Sequence, residues 1–113
     1  MRGRRDVRRG TLTLMLLKTV DILGPLSGYA VGRSIEEASG NCLLINYGTL
    51  HPILLKLERQ GHIRSGWGRA ENNRRARFYE LTSDGRKQSA REVAEWMQLV
   101  AIIERFVTMV SAG

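Results

Sequence analysis

The stretch "INYGTLHPILLKLERQGHI", residues 45–63, decides how the chain is read. Leu50, Ile53, Leu54 and Leu57 stand at i, i+3, i+4 and i+7, the stripe of an amphipathic helix. Asn46 is placed as its N-cap, Ile45 is positioned to staple onto Leu50, and Gly61 is the stop. Pro52 interrupts the pattern. It cannot donate to the Gly48 carbonyl and its ring crowds that group, a defect of about 3 kcal/mol in a helix interior. It also biases His51 away from helical angles. The apolar stripe is nevertheless intact on both sides. The expectation is a helix that persists through a bend, with Gly48 absorbing the crowding and the first turn re-aimed.

Upstream lie two shorter helices. "TLTLMLLKTVDIL", residues 11–23, carries Leu12, Met15, Leu16, Thr19, Val20 and Leu23 at helical spacing and is stopped by Gly24 and Pro25. Ser27 can cap a second helix from about Gly28 to Ser39, with Val31, Ile35 and Ala38 as its buried stripe and Gly40 as its end. "CLLI", residues 42–45, is too short for a helix and reads as a small edge strand.

Downstream the period changes to two. "HIRSGWGR" and "RRARFYELT" are strand-like, with Ile63 and Trp67 on one face of the first and Tyr79 and Leu81 pointing inward from the second. "AENN" between them has turn chemistry, so the pair is a hairpin with a charged tip. Thr82 or Ser83 then starts a last helix reaching about Val110, roughly 28 residues and roughly 42 Å long.

The chain has 113 residues, the length of one domain, with 18 Lys and Arg against 11 Asp and Glu and a net charge of +7. The excess is mostly arginine, which suits bidentate phosphate and guanine contacts, so a polyanion is the partner class. The charge is also clustered. Arg64, Arg69, Arg74, Arg75 and Arg77 sit in or beside the hairpin against Glu71 and Glu80, a phosphate-binding field rather than scattered solvation. "MRGRRDVRRG" at the start has no apolar period; it is either a solvated tail or an arm along nucleic acid, with Arg4, Arg5 and Arg8 as its contacts.

No apolar run is long enough to span a bilayer, and the basic start is not followed by a cleavable apolar segment, so a cytosolic location and no membrane partner are expected. The single cysteine, Cys42, fits a reducing compartment.

Three compact helices followed at once by a hairpin is the order of a winged helix-turn-helix. The expected fold is mainly α with a small β hairpin (α+β), followed by a long C-terminal helix. Its expected organisation is a basic arm at residues 1–9, a winged helix-turn-helix domain at 10–82 and a dimerisation helix at 83–113. In such domains the third helix enters the major groove of double-stranded DNA, and the wing reaches neighbouring backbone or minor groove.

On a helical wheel Gly48, Pro52, Leu55 and Arg59 lie opposite the apolar stripe, with Thr49, His51 and Lys56 on its flanks. Gly48 allows close approach of DNA, Thr49 can meet a phosphate or a thymine methyl, and Lys56 and Arg59 can neutralise phosphates. Asn46, Tyr47 and His51 offer polar contacts. Tyr47 could instead simply pack on the first helix, and Leu55 is either a thymine-methyl contact or a neutral surface residue.

The sequence resembles the PadR family of bacterial transcriptional regulators over nearly its whole length. The likeness is carried by "RGTL" at 9–12, "GPLSGYAV" at 24–31, "GTLHPILLKLERQGHI" at 48–63 and "NNRRARFYELTSDGRKQ" at 72–88. The resemblance implies a winged-helix dimer that represses promoters and is released by a small molecule or another signal. Two positions depart from the family pattern: His51 stands where tyrosine is usual before the proline, and Leu55 where a polar or basic residue is usual.

In the last helix Val93, Trp96, Val100, Ile103, Val107 and Val110 alternate steps of three and four, the spacing of a coiled-coil seam, and Leu99, Ile102, Phe106 and Met109 widen it. So apolar a helix must be buried, most simply against its copy in a second subunit, giving a homodimer with two third helices for inverted half-sites. Trp96 is either dimer core or one wall of an apolar slot at the two-fold axis, able to stack on a flat aromatic ligand. "EWMQLVAIIE" resembles the corresponding stretch of PadR-like multidrug sensors, some of which bind ligands in the second way, and both readings of Trp96 stay open.

Other classes have less support. There is no glycine-rich phosphate loop, and Cys42 with two histidines makes no catalytic set, so an enzyme is not expected. Cys42, His51 and His62 lack metal-ligand spacing, and neither metal nor cofactor is expected. The remaining alternative is a winged helix that binds RNA or a protein partner, which would need no two-fold symmetry.

Overall fold

The computed structural model describes residues 9–112. Arg4, Arg5 and Arg8 therefore lie outside the described residues. Helix α1 (Arg9–Leu23) starts two residues before Thr11. It buries Leu12, Leu16, Leu17 and Val20, so the inward face includes Leu17, which the spacing argument passed over. Leu23, assigned to that face, is instead exposed beside Ile22, because the helix outruns the body there. Gly24, at φ 77°, closes it by donating to the Val20 carbonyl.

Strand β1 is Leu26–Ser27, pairing antiparallel with Tyr79 and Phe78. The edge strand expected at 42–45 does not form; Leu43 makes only an isolated bridge, and Leu26 and Ser27 form the third strand instead. Helix α2 (Gly28–Ala38) is capped by Ser27, whose hydroxyl accepts from the Ala30 amide. Val31 and Ile35 are buried, but Ala38, in the last turn, is exposed.

The loop into the next helix is tied down by Glu36, whose carboxylate accepts from the Ile45 amide at 2.9 Å. Ile45 reaches the core beside Leu50, and both pack against the buried Gly32, where even a Cβ would make only ordinary contact, 3.5 Å from Ile45 and 3.7 Å from Leu50. Helix α3 (Tyr47–Arg59) runs unbroken through Pro52, with Leu50, Ile53, Leu54 and Leu57 all buried. Removing four such side chains from water at about 1.5–3 kcal/mol each outweighs one proline defect of about 3 kcal/mol. The helix ends in a Schellman closure, with Gly61 at φ 78° donating to Glu58 and His62 donating to Leu57.

Strands β2 (Ile63–Arg69) and β3 (Arg75–Leu81) form the hairpin, in the sheet order β1-β3-β2. Ile63, Tyr79 and Leu81 complete the core. Trp67, placed on the face of Ile63 by alternation, shares that face but not its burial: the strands extend past the helices, and the indole is 60% exposed.

Helix α4 (Ser83–Ala112) has 30 residues, about 45 Å. Thr82 caps it, accepting from the Gly85 amide while its hydroxyl reaches the Gly61 and His62 carbonyls. Gly85 is more than tolerated in this first turn: a Cβ there would lie 1.9 Å from the His62 carbonyl oxygen. Only Gly85 and Ser89 of this helix are buried.

Candidate nucleic-acid interface

Helix α3 and the hairpin that follows it both carry exposed basic side chains. Opposite the buried stripe of α3, Gly48, Pro52, Leu55, Lys56 and Arg59 are exposed, and Thr49 and His51 are half-buried on its flanks. Asn46 is committed to its cap, its Oδ1 accepting from the Gly48 amide at 2.7 Å. A Cβ on Gly48 would meet only that Asn46 oxygen, at 3.1 Å, so its outer side is open to a close approach. Tyr47 is half-exposed. Its ring covers Gly28 at the start of α2, where a Cβ would lie 2.7 Å from it, and its hydroxyl is 3.3 Å from His51 Nδ1.

The hairpin arginines divide by their partners. Arg64 is paired with Glu80 at 2.8 Å. Arg77 donates through Nε to the Ser65 hydroxyl at 2.8 Å, Ser65 donates to Glu58 of α3 at 2.6 Å, and a second Arg77 nitrogen lies 3.9 Å from the same carboxylate. Arg69 donates to the Asn73 carbonyl across the turn. Arg69, Arg74 and Arg75 enter no ion pair among the described residues and are exposed, so they carry the uncompensated positive charge of the tip. Arg75 and Arg77 both lie against the Trp67 ring, 4.7 and 5.2 Å from its centroid.

Beneath this face, burial pushes the Tyr79 phenol above its ordinary value of 10.0; Tyr47 and Glu58 add to the rise and Arg77 opposes it. Between α1, α3 and α4 lies a cleft of about 480 Å³ lined by Thr13, Pro52, Lys56, His62 and Glu92 among others. Among the described residues no group of three His, Cys, Asp or Glu side chains is arranged to hold a metal ion.

On α4, Val93 and Val100 are half-buried, while Trp96, Met97, Leu99, Ile102, Ile103, Phe106, Val107, Met109 and Val110 are between 49% and 69% exposed. So long an uncovered apolar band marks an interaction surface. No described helix is long and apolar enough to cross a membrane.

Sequence reasoning missed the Glu58–Ser65–Arg77 connection and the exposure of Trp67. A signal for the second was present: glycines on both sides of the tryptophan, close to the turn, where a strand has already left the core.

Three helices, a two-stranded wing and a long terminal helix define a winged helix-turn-helix protein. A family model described as the transcriptional regulator PadR-like family matches residues 16–91. The chain belongs to that family, and it is a transcriptional regulator of the DNA-binding kind. The solved structure of a transcriptional regulator from Clostridium thermocellum is 28% identical, covers 88% of this chain and 92% of its own, and superimposes with a TM-score of 0.78. A Streptococcus mutans structure is 26% identical, covers 92% of each chain and has a TM-score of 0.79. An uncharacterised Lysinibacillus sphaericus protein is 26% identical over 104 residues, 92% of this chain and 94% of its own.

Proposed function

We propose that the protein is a homodimeric repressor that binds an inverted-repeat operator, with α3 in the major groove and the wing on the flanking backbone. The observation that carries this reading is the wing tip, where Arg74 and Arg75 stand exposed without an acidic partner among the described residues, in the hairpin that follows an α3 whose outward face carries Lys56 and Arg59. Tyr47, Gly48, Thr49 and His51 are the base-proximal groups, with Asn46 holding the helix start. Lys56, Arg59, Arg69, Arg74, Arg75 and Arg77 neutralise phosphates, joined by Arg4, Arg5 and Arg8 of the arm. Residues 10–82 form the DNA-binding unit and residues 83–113 the dimerisation helix, acting in the cytosol.

The exposed band on α4 supports the dimer. Burying Trp96, Ile103, Phe106, Val107 and Val110 against their copies, with Val93 and Val100 at the edge of the body, removes a surface that a single chain leaves wet. Two tethered half-site contacts then multiply the affinity of one. A flat aromatic ligand stacking on Trp96 near the two-fold axis would release DNA if it bound the released spacing more tightly than the DNA-competent one.

Selection of bound genomic fragments tests the reading. The expected product is an inverted repeat with half-site centres about 10 bp apart, or a multiple of that spacing. Equal affinity for structured RNA, or fragments without two-fold symmetry, would overturn it in favour of an RNA- or protein-binding module.

A further inference from the structure

Trp67 stands on the same face of the hairpin as Ile63, Tyr79 and Leu81, yet those three are buried and the indole is exposed. The face that begins as a wall of the core ends as an outward platform. Arg77 is directly across the ladder from Trp67, and Arg75 is two residues nearer the turn, opposite Arg69. Both guanidiniums rest against the indole, at 5.2 and 4.7 Å. The Glu58–Ser65–Arg77 chain ties this platform to α3 and so fixes its distance from the major-groove helix.

We propose that Trp67, with Arg75 and Arg77 stacked on it, is a minor-groove reading element that makes the base pairs flanking each half-site part of the operator, favouring A·T over G·C. The inference rests on the DNA-binding reading above and adds a specificity-determining residue to it. A narrow A·T-rich minor groove concentrates negative potential, which attracts guanidinium groups. Its walls are deoxyribose, apolar enough to pack against an indole, and a G·C pair places the guanine amino group in the groove where the ring must enter. With guanidiniums already on the ring, the indole is not free to be sandwiched between base pairs, so it packs on the groove wall and does not act as a wedge. Stacking also holds the two arginines ready, which reduces the side-chain ordering needed on binding.

The test uses the full chain and a duplex recovered by the fragment selection, resynthesised with A·T, G·C or I·C pairs in the flanks. Inosine removes the minor-groove amino group while keeping the major-groove face of guanine, so it isolates the groove that is read. Wild type should bind A·T and I·C flanks about tenfold more tightly than G·C flanks. Trp67→Ala should bring all three within about twofold of one another without changing the salt slope, since no charge is removed. Trp67→Leu keeps apolar bulk without a ring to hold the arginines and should do the same, which guards against a folding defect peculiar to alanine. Equal affinity of wild type for the three flanks, or undiminished discrimination in both variants, would overturn this inference alone. A wild-type chain that retains no duplex in the selection would overturn the DNA-binding reading, and this inference with it.

Discussion

The Ser65 hydroxyl in the wing donates a 2.6 Å hydrogen bond to the Glu58 carboxylate on α3. Arg77 closes the connection from the other strand, donating to Ser65 and standing 3.9 Å from Glu58. The connection adds a side-chain tie between the wing and α3 to the core contacts of Ile63, Tyr79 and Leu81. Glu58→Ala should remove about 1–2 kcal/mol of stability, the range for a partly exposed, charge-assisted bond, while Glu58→Gln should lose less because it still accepts. Amide hydrogen exchange across β2 and β3 should quicken in the alanine variant; unchanged protection there would mean that the connection does not restrain the wing.

Arg74 and Arg75 are exposed at the hairpin tip without an acidic partner among the described residues, as is Arg69, whose guanidinium is held on the Asn73 carbonyl. Replacing Arg74 and Arg75 by alanine should weaken DNA binding and reduce the slope of log affinity against log salt by about 0.9 for each phosphate no longer neutralised. An unchanged slope would remove them from the interface. Replacing Arg64, already paired with Glu80, should change the slope less.

Val100→Glu with Ile103→Glu places two carboxylates in the α4 band. Sedimentation should then find a monomer, with DNA affinity reduced toward that of one half-site. A dimer of wild-type strength would show that another surface joins the subunits.

Gly85→Ala should cost more than about 1–3 kcal/mol in urea unfolding, the usual range for overpacking, because the added methyl meets a backbone carbonyl that no rotamer change can move. Gly66→Ala, where a Cβ meets nothing within 4 Å, is the control.

The Tyr79 phenol titrates above 10.0 in the folded chain because burial disfavours its anion. Its contribution to stability is therefore complete below about pH 10 and lost as pH rises from there through the folded-state value, where the unfolded chain has already released the proton. Tyr79→Phe should flatten this alkaline limb relative to wild type while leaving the slope near pH 7 alone. An equally steep limb would assign it to other groups.

Helix α3 was legible because cap, staple, stripe and stop all pointed one way, so Pro52 could be read as a local defect rather than a boundary. The hairpin was legible from its period. What escaped were features set by where elements meet. Alternation places Trp67 on the correct face but carries no information about how far the helices extend beneath it. The third strand is two residues long and takes its register entirely from β3, and "CLLI" mimicked it because apolar composition alone does not supply a free strand edge. Glu58 has no distinguishing mark within its own helix and acquires its role only from the strand that folds back to it.

The contact of Gly85 with the His62 carbonyl makes a lever of α4. The fulcrum sits on the backbone that joins α3 to the wing, and about 40 Å of helix extends beyond it. A rotation of roughly 5° at that point would carry the far end of the helix about 3.5 Å over such a span. In the proposed dimer, small adjustments in how two such arms cross would therefore set the separation of the two α3 helices, without any change inside either body.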